Sequence, residues 1–233
     1  MATIETRIQL IRQRITAACE RAGRDPGQVR LLPVSKTHPP AKILEAFRAG
    51  CTRFGENKVQ EAAAKAAELE HVEGLEWSLI GHLQTNKARQ LVTFAAEFQA
   101  LDSIRLAREL QKRLEAADRT LDVLVQVNSS GEATKFGLEP DEVVGFAAQL
   151  APFDRLAVRG LMTLAANTPD REVVAGCFET MRDLQTRLRD AHGGGWDELS
   201  MGMSGDYELA IEHGSTCVRI GTAIFGERPP ANP

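Results

Sequence analysis

Several features are missing from this chain of 233 residues, and each absence removes a class of protein. Its four cysteines, Cys19, Cys51, Cys177 and Cys217, lie far apart with no C-x-x-C spacing. A disulfide framework is excluded, and reduced thiols buried as small apolar residues, in the cytoplasm, are expected. The five histidines, at 38, 71, 82, 192 and 213, form no H-x-x-x-H or H-E-x-x-H arrangement, so no dedicated metal site is expected. The amino-terminal segment lacks the basic stretch and unbroken apolar run of a signal peptide, and nothing in the composition suits a membrane protein. Lys+Arg 28 against Asp+Glu 32 leaves a net charge of −4 with no long basic run, which argues against nucleic acid and anionic membranes as partners. No proline-, glycine- or serine-rich linker interrupts the chain, so residues 1–233 are expected to form one domain.

What is present is alternation. Eight β-type runs recur: Leu31–Ser35, Thr52–Gly55, Trp77–Gly81, Phe98–Leu101, Leu121–Val127, Leu156–Met162, Glu198–Met203 and Val218–Gly221. Segments with helical spacing separate them, such as Leu106, Leu110 and Leu114 after Asp102-Ser103. Another runs from Val174 through Cys177, Phe178, Met181 and Leu184 to Leu188, with Pro169 suited to its first helical position and Gly193 to Gly195 as its stop. Strand then helix, eight times, predicts a single α/β domain, a (β/α)₈ TIM barrel; an open doubly wound sheet would more often have five or six strands and a G-x-G-x-x-G turn, which is absent. Ile4, Ile8, Ile11, Ile15 and Cys19 share one helical face, so residues 1–23 are expected to form an extra helix packed outside the barrel.

Reacting groups of such barrels stand at the carboxyl ends of the strands. Lys36 follows the first run (LLPVSK), where partial burial of its amine, ordinarily near pKa ~10.4, favours the neutral form that attacks carbonyls. Ser204, Gly221 and Thr222 follow the seventh and eighth runs, with Gly205 and Gly214-Ser215-Thr216 between them; accessible backbone N–H groups and hydroxyls there suit a phosphate. Arg219 interrupts the apolar run Val218-Arg219-Ile220 and requires either a carboxylate or a ligand atom that accepts its hydrogen bonds. Together these residues describe a bound aldehyde phosphate. Spacing alone leaves two occupants open, a sugar phosphate in a Schiff-base aldolase and pyridoxal 5′-phosphate.

FGEN at 54–57 continuing to VQE at 59–61, GHLQTNK at 81–87, GLMT at 160–163, SMGMSGD at 200–206 and GSTCVRIGTAIFG at 214–226 stand in this order along the chain. In these motifs the sequence resembles the pyridoxal phosphate homeostasis protein family, single-domain relatives of the barrel domain of bacterial alanine racemases, from about Leu31 to Gly226. The resemblance implies pyridoxal 5′-phosphate as cofactor, Lys36 as its aldimine lysine, a phosphate held by Ser204, Gly221 and Thr222, and Arg219 at the pyridine nitrogen. Asn57 and His82 match polar positions near the ring, and Met162 and Met203 match its apolar surround. Gly81, Gln84, Asn86 and Lys87 belong to the same motif without an assigned role. Two positions depart from the pattern, Lys58 where tyrosine is frequent and Phe136 where a small or polar residue is frequent.

A monomeric, cytoplasmic barrel is expected, and the resemblance implies that it serves cofactor supply without efficient turnover, with pyridoxal-phosphate-dependent apoenzymes as candidate recipients. An amino-acid racemase is the alternative. The alanine racemases place a tyrosine from a second domain opposite the lysine, whereas this chain ends at Pro233 and its one tyrosine, Tyr207, follows the phosphate loop, so no second base is expected.

Overall fold

The computed structural model describes residues 2–227; Met1 and residues 228–233, the two ends of the expected 1–233 unit, lie outside the described residues. The chain opens with helix α1 (Ile4–Arg21). There follow β1 (Arg30–Pro33), α2 (Pro40–Arg48), β2 (Arg53–Glu56), α3 (Val59–Glu68), β3 (Glu76–Leu79), α4 (Ala88–Leu91), β4 (Glu97–Leu101) and α5 (Ile104–Ala116). The second half continues with β5 (Leu121–Val127), α6 (Val143–Leu150), β6 (Leu156–Thr163), α7 (Arg171–His192), β7 (Glu198–Ser200), α8 (Tyr207–Glu212), β8 (Cys217–Ile220) and α9 (Thr222–Phe225). Every expected run forms a strand. All strands are parallel, in the order β1-β8-β7-β6-β5-β4-β3-β2, and the chain adopts the (β/α)₈ barrel architecture with its additional amino-terminal helix.

The two ends of that order meet at a thin seam. Just past β1, Val34 forms a single parallel bridge with Gly55 of β2, and the Ser35 N–H donates to the Gly55 carbonyl at 3.0 Å. By contrast, β5 and β6 are paired along their whole length from Leu121↔Leu156 to Val127↔Thr163, with one register shift.

Helix α1 lays Ile4, Ile8, Ile11, Ile15, Ala18 and Cys19 against α2, α8 and α9. Burying each isoleucine is worth about 1.5–3 kcal/mol, enough to hold the helix on the outside of the barrel wall. Ion pairs from Arg14 and Arg21 to Glu208 of α8 tie its exposed side. The four cysteines are buried and unpaired with one another. No helix among the described residues is long and apolar enough to cross a membrane.

Two local expectations are corrected. Pro169 does not open α7: Asp170 is its N-cap, the carboxylate accepting from the Glu172 and Val173 N–H groups, and the proline stands one residue earlier. The helix does stop at Gly193, whose φ of +77° suits glycine. The seventh strand ends at Ser200 instead of Met203, because Gly202 takes φ +92° and turns the chain while its carbonyl still accepts from Arg219 N–H at 2.9 Å. Ser204 therefore sits in the loop before α8, beyond the strand end.

Candidate functional site at the carboxyl ends of the strands

Parallel pairing brings Lys36, Arg219, Gly221 and Thr222 to one side of the barrel mouth. β1 and β8 are neighbours, with Leu32 opposite Arg219, Pro33 opposite Ile220, and Val34 N–H donating to the Ile220 carbonyl at 2.8 Å. Lys36, half-buried, follows on one strand; Gly221 and Thr222 follow on the other, at the start of α9. A Cβ on Gly221 would come within 3.2 Å of the Val34 carbonyl oxygen, so the approach of the two strand ends leaves little room for a side chain. Ser204 joins them through the 201–206 loop, which is bonded to β8 by Met201 N–H to Cys217 C=O and Arg219 N–H to Gly202 C=O. The loop is turned by the Asp206 carboxylate, which accepts from Met203 N–H at 2.6 Å, and leaves Ser204 exposed.

A buried ionic cluster grips the backbone on both flanks of Lys36. Lys65 of α3 donates from Nζ to Ser35 C=O at 2.9 Å, to Glu56 Oε1 at 2.7 Å and to Glu61 Oε1 at 2.8 Å. Ser35 Oγ donates to Glu56 Oε1, and Thr37 N–H donates to Glu61 Oε1, both at 2.6 Å. Thr37 has φ +67°, an unfavourable region for a β-branched residue that costs on the order of 1–3 kcal/mol and persists only when its surroundings impose it. Burial pushes the Glu56 carboxyl above its usual range even though Lys65 and Ser35 oppose the shift. Glu56 and Glu61 lie in the FGEN and VQE motifs without an assigned role, and Lys65 lies outside them; the 61–65 spacing of opposite charges on one helix face is the signal that links them.

Arg219 is 3% exposed and makes neither an ion pair nor a contact with a carboxylate among the described residues. Its Nη1 donates to Ser200 Oγ at 2.7 Å and its Nη2 to the Thr163 carbonyl at 2.6 Å, and burial lowers its pKa below that of a free guanidinium. Behind it the barrel interior is polar. Ser200 Oγ donates to Gln99 Oε1 at 2.6 Å, Gln99 Nε2 donates to Glu97 Oε2 at 2.7 Å, and Ser78 Oγ donates to the same oxygen at 2.6 Å. At the foot of the barrel Arg30 and Arg53 reach Glu97 Oε1 at 2.7 and 3.2 Å, and both arginines also line a cavity of about 540 Å³ there. Burial alone would raise the Glu97 carboxyl, but Arg30, the Ser78 and Gln99 hydrogen bonds and Arg53 together hold it below the usual range. The signal of this chain in the sequence is the alternation in Glu97-Phe98-Gln99, which puts two polar side chains on one face of a strand.

On the other flank of Lys36, across the β1–β2 bridge, the strand exits carry Asn57 and His82. A Cβ on Gly81 would lie 2.2 Å from the Asn57 carbonyl oxygen, which explains the glycine of GHLQTNK: it lets the β2 and β3 exits touch. His82 Nδ1 is 3.3 Å from Asp102 Oδ2, and its ring stacks on Phe136 with centroids 4.0 Å apart. Phe136, one of the two departures from the family pattern, thus covers a candidate site residue. The other, Lys58, stands at the N-cap of α3, and Gln84 holds the same position before a 3₁₀ turn of Thr85–Lys87. Met162 is fully buried on β6 beside Ser200, whereas Met203 is 42% exposed in the loop carrying Ser204.

This barrel and its lysine-bearing mouth define a class before they define a family: the family model described as alanine racemase, N-terminal domain, matches residues 7–229. A pyridoxal phosphate homeostasis protein of Vibrio cholerae is 42% identical over 231 residues, covering 98% of each chain. Among solved structures, a protein of Bifidobacterium adolescentis described as unknown matches with TM-score 0.90 and 37% identity over 95% of this chain and 94% of that one. PipY of Synechococcus elongatus, solved with PLP bound, matches with TM-score 0.82 and 36% identity over 93% of this chain and all of that one. The chain belongs to the pyridoxal phosphate homeostasis protein family.

Proposed function

We propose that this protein binds pyridoxal 5′-phosphate reversibly at the barrel mouth and serves intracellular cofactor supply instead of turning over an amino acid. The observation that carries the reading is the placement of a half-buried lysine and a hydroxyl-bearing glycine turn on adjacent strand ends, with Arg219, hydrogen-bonded to a hydroxyl and a carbonyl, in the strand behind them. Bound there, pyridoxal 5′-phosphate would supply an aldehyde reactive toward amines. Lys36 supplies the amine. Ser204, Thr222 and the N–H groups around Gly221 would take the phosphate, and Arg219 would donate a hydrogen bond to the ring nitrogen and disfavour its protonation. Asn57 and His82 would border the ring, with Met162 and Met203 beside it. A ring that resists protonation is a poor electron sink, which fits holding more than turnover.

The racemase alternative needs a second base facing the lysine. Tyr207, the single tyrosine of the sequence, is 3% exposed in the apolar layer beneath α1, with Arg14 over its ring at 5.6 Å, and burial raises its pKa. The relatives' name, pyridoxal phosphate homeostasis protein, supports the supply reading; pyridoxal-phosphate-dependent apoenzymes would be the recipients. The buried, unpaired cysteines fit a reducing cytoplasm, and the large exposed apolar side chains Leu10, Phe136, Val173 and Met203 lie on different elements, which suits a monomer.

Borohydride reduction of the loaded protein followed by peptide mapping is expected to place a pyridoxyl group on Lys36. A label mainly on Lys87 or Lys135 would overturn the assignment; Lys135 is already engaged with Glu132 and the Ala165 carbonyl. Racemisation of alanine or serine in the usual enzyme range of roughly 1–10³ s⁻¹ would favour the alternative.

A further inference from the structure

We propose that Gln99 and Ser200 are positioning residues that fix the plane of the Arg219 guanidinium toward the mouth, so that its remaining donors face the ring nitrogen of the cofactor. The proposal rests on the function proposed above. It arises from the direction of the hydrogen bonds, which chemistry leaves no freedom to reverse.

A guanidinium only donates, so Ser200 Oγ must accept from Arg219 Nη1 and has a single hydrogen left to give. That hydrogen goes to Gln99, which fixes the amide with its oxygen toward Ser200 and its nitrogen toward Glu97. Glu97 is ionised, accepts on both oxygens, and is itself held by Ser78, Arg30 and Arg53. An amide turned the other way would set its oxygen against the Glu97 carboxylate, acceptor against acceptor. One orientation survives from Glu97 to Arg219, and every member is buried. The second anchor, Thr163 C=O on Nη2, fixes the other end of the fork.

Among the described residues no carboxylate is hydrogen-bonded to Arg219: Ser200 and Gln99 stand between it and Glu97, and Asp206 acts on it only through space. A directly paired carboxylate would satisfy the guanidinium and turn it inward; neutral acceptors orient it and leave its charge for a ligand. The hydrogen bonds of Gln99 and Ser200 lead to Arg219, so their effect on the mouth would pass through it.

The test compares the parent with Ser200→Ala, Gln99→Met, Arg219→Lys and the hydroxyl-preserving Ser200→Thr. Each is loaded with pyridoxal 5′-phosphate and followed by its absorption spectrum and by the rate of cofactor release to excess free amine. Ser200→Ala and Gln99→Met are expected to shift the band in the same direction as Arg219→Lys and to speed release about three- to tenfold, the loss of roughly one buried hydrogen bond; Ser200→Thr is expected to restore both. In the cofactor-free protein, the Arg219 side-chain N–H signals are expected to be sharp and slowly exchanging in the parent and broadened in Ser200→Ala and Gln99→Met. Two independent positions are used so that poor folding of one leaves the other to decide. Spectra, release rates and N–H signals equal to the parent's in either folded variant, even with a lowered melting temperature, would reduce the chain to a structural role and overturn the proposal. A parent that takes up no cofactor would overturn the proposed function, while altered N–H signals in the cofactor-free variants would still support the positioning of Arg219.

Discussion

Replacing Glu97 with glutamine would leave Arg30 and Arg53 facing a neutral amide inside the foot of the barrel. Breaking a buried pair by removing one partner usually costs about 3–5 kcal/mol. Here about 2 kcal/mol is expected, because Arg30 keeps Glu198 and Arg53 keeps Glu76. The pH dependence has a definite sign. The native Glu97 carboxyl lies below its ordinary value of 4.5, so the unfolded chain takes up the proton first; the stability Glu97 contributes is present above 4.5 and is lost as pH falls through the lower native value. Chemical denaturation across that interval should therefore show a shallower acid limb for Glu97→Gln, and a limb as steep as the parent's would contradict the assignment. At this scale the sequence was legible where a charge broke an apolar pattern: Arg219 and Lys36 both stood out. Glu97, Gln99 and Ser200 escaped because a polar residue in a strand reads as solvent-facing unless both faces of that strand are known to be covered, and β4 proves buried at every position.

Helix α7 shows how far local rules reach. Its apolar face from Val174 to Leu188 and its stop at Gly193 were evident, but three neighbours, Thr168, Pro169 and Asp170, all suit a helix start. Competition among local hydrogen bonds decided: Thr168 Oγ1 accepts from Asp170 N–H, and the Asp170 carboxylate then caps the first turn. Asp170→Ala is expected to cost about 1 kcal/mol and to lower the melting temperature by about 2–4 °C, with the absorption of bound cofactor unchanged; Thr168→Ala should cost less. Calorimetry of the two variants checks this, and a larger loss for Thr168→Ala would reassign the cap. Strand existence was legible throughout because apolar runs bounded by turn residues are a local signal. The early end of β7 was not, since it depends on Gly202 turning where β8 can still reach its carbonyl.

For the molecule as a whole, the number of ladder bonds varies round the barrel, from the full β5–β6 pairing to a single bridge at Val34–Gly55. Side chains compensate at the thin place: Lys65 spans it, bonded to Ser35 on one side and Glu56 on the other. Amide protons report such differences, because local opening exposes weakly laddered segments at free energies well below global unfolding. Native-state hydrogen exchange should find the Ser35 amide far less protected than that of Val125, with protection at Ser35 falling further in Lys65→Met; equal protection at the two sites would contradict this view. If that exchange pattern is found, Lys36 would be mounted on the part of the wall that opens first, and a guest bound there could enter and leave by a small local opening while the rest of the barrel stays shut.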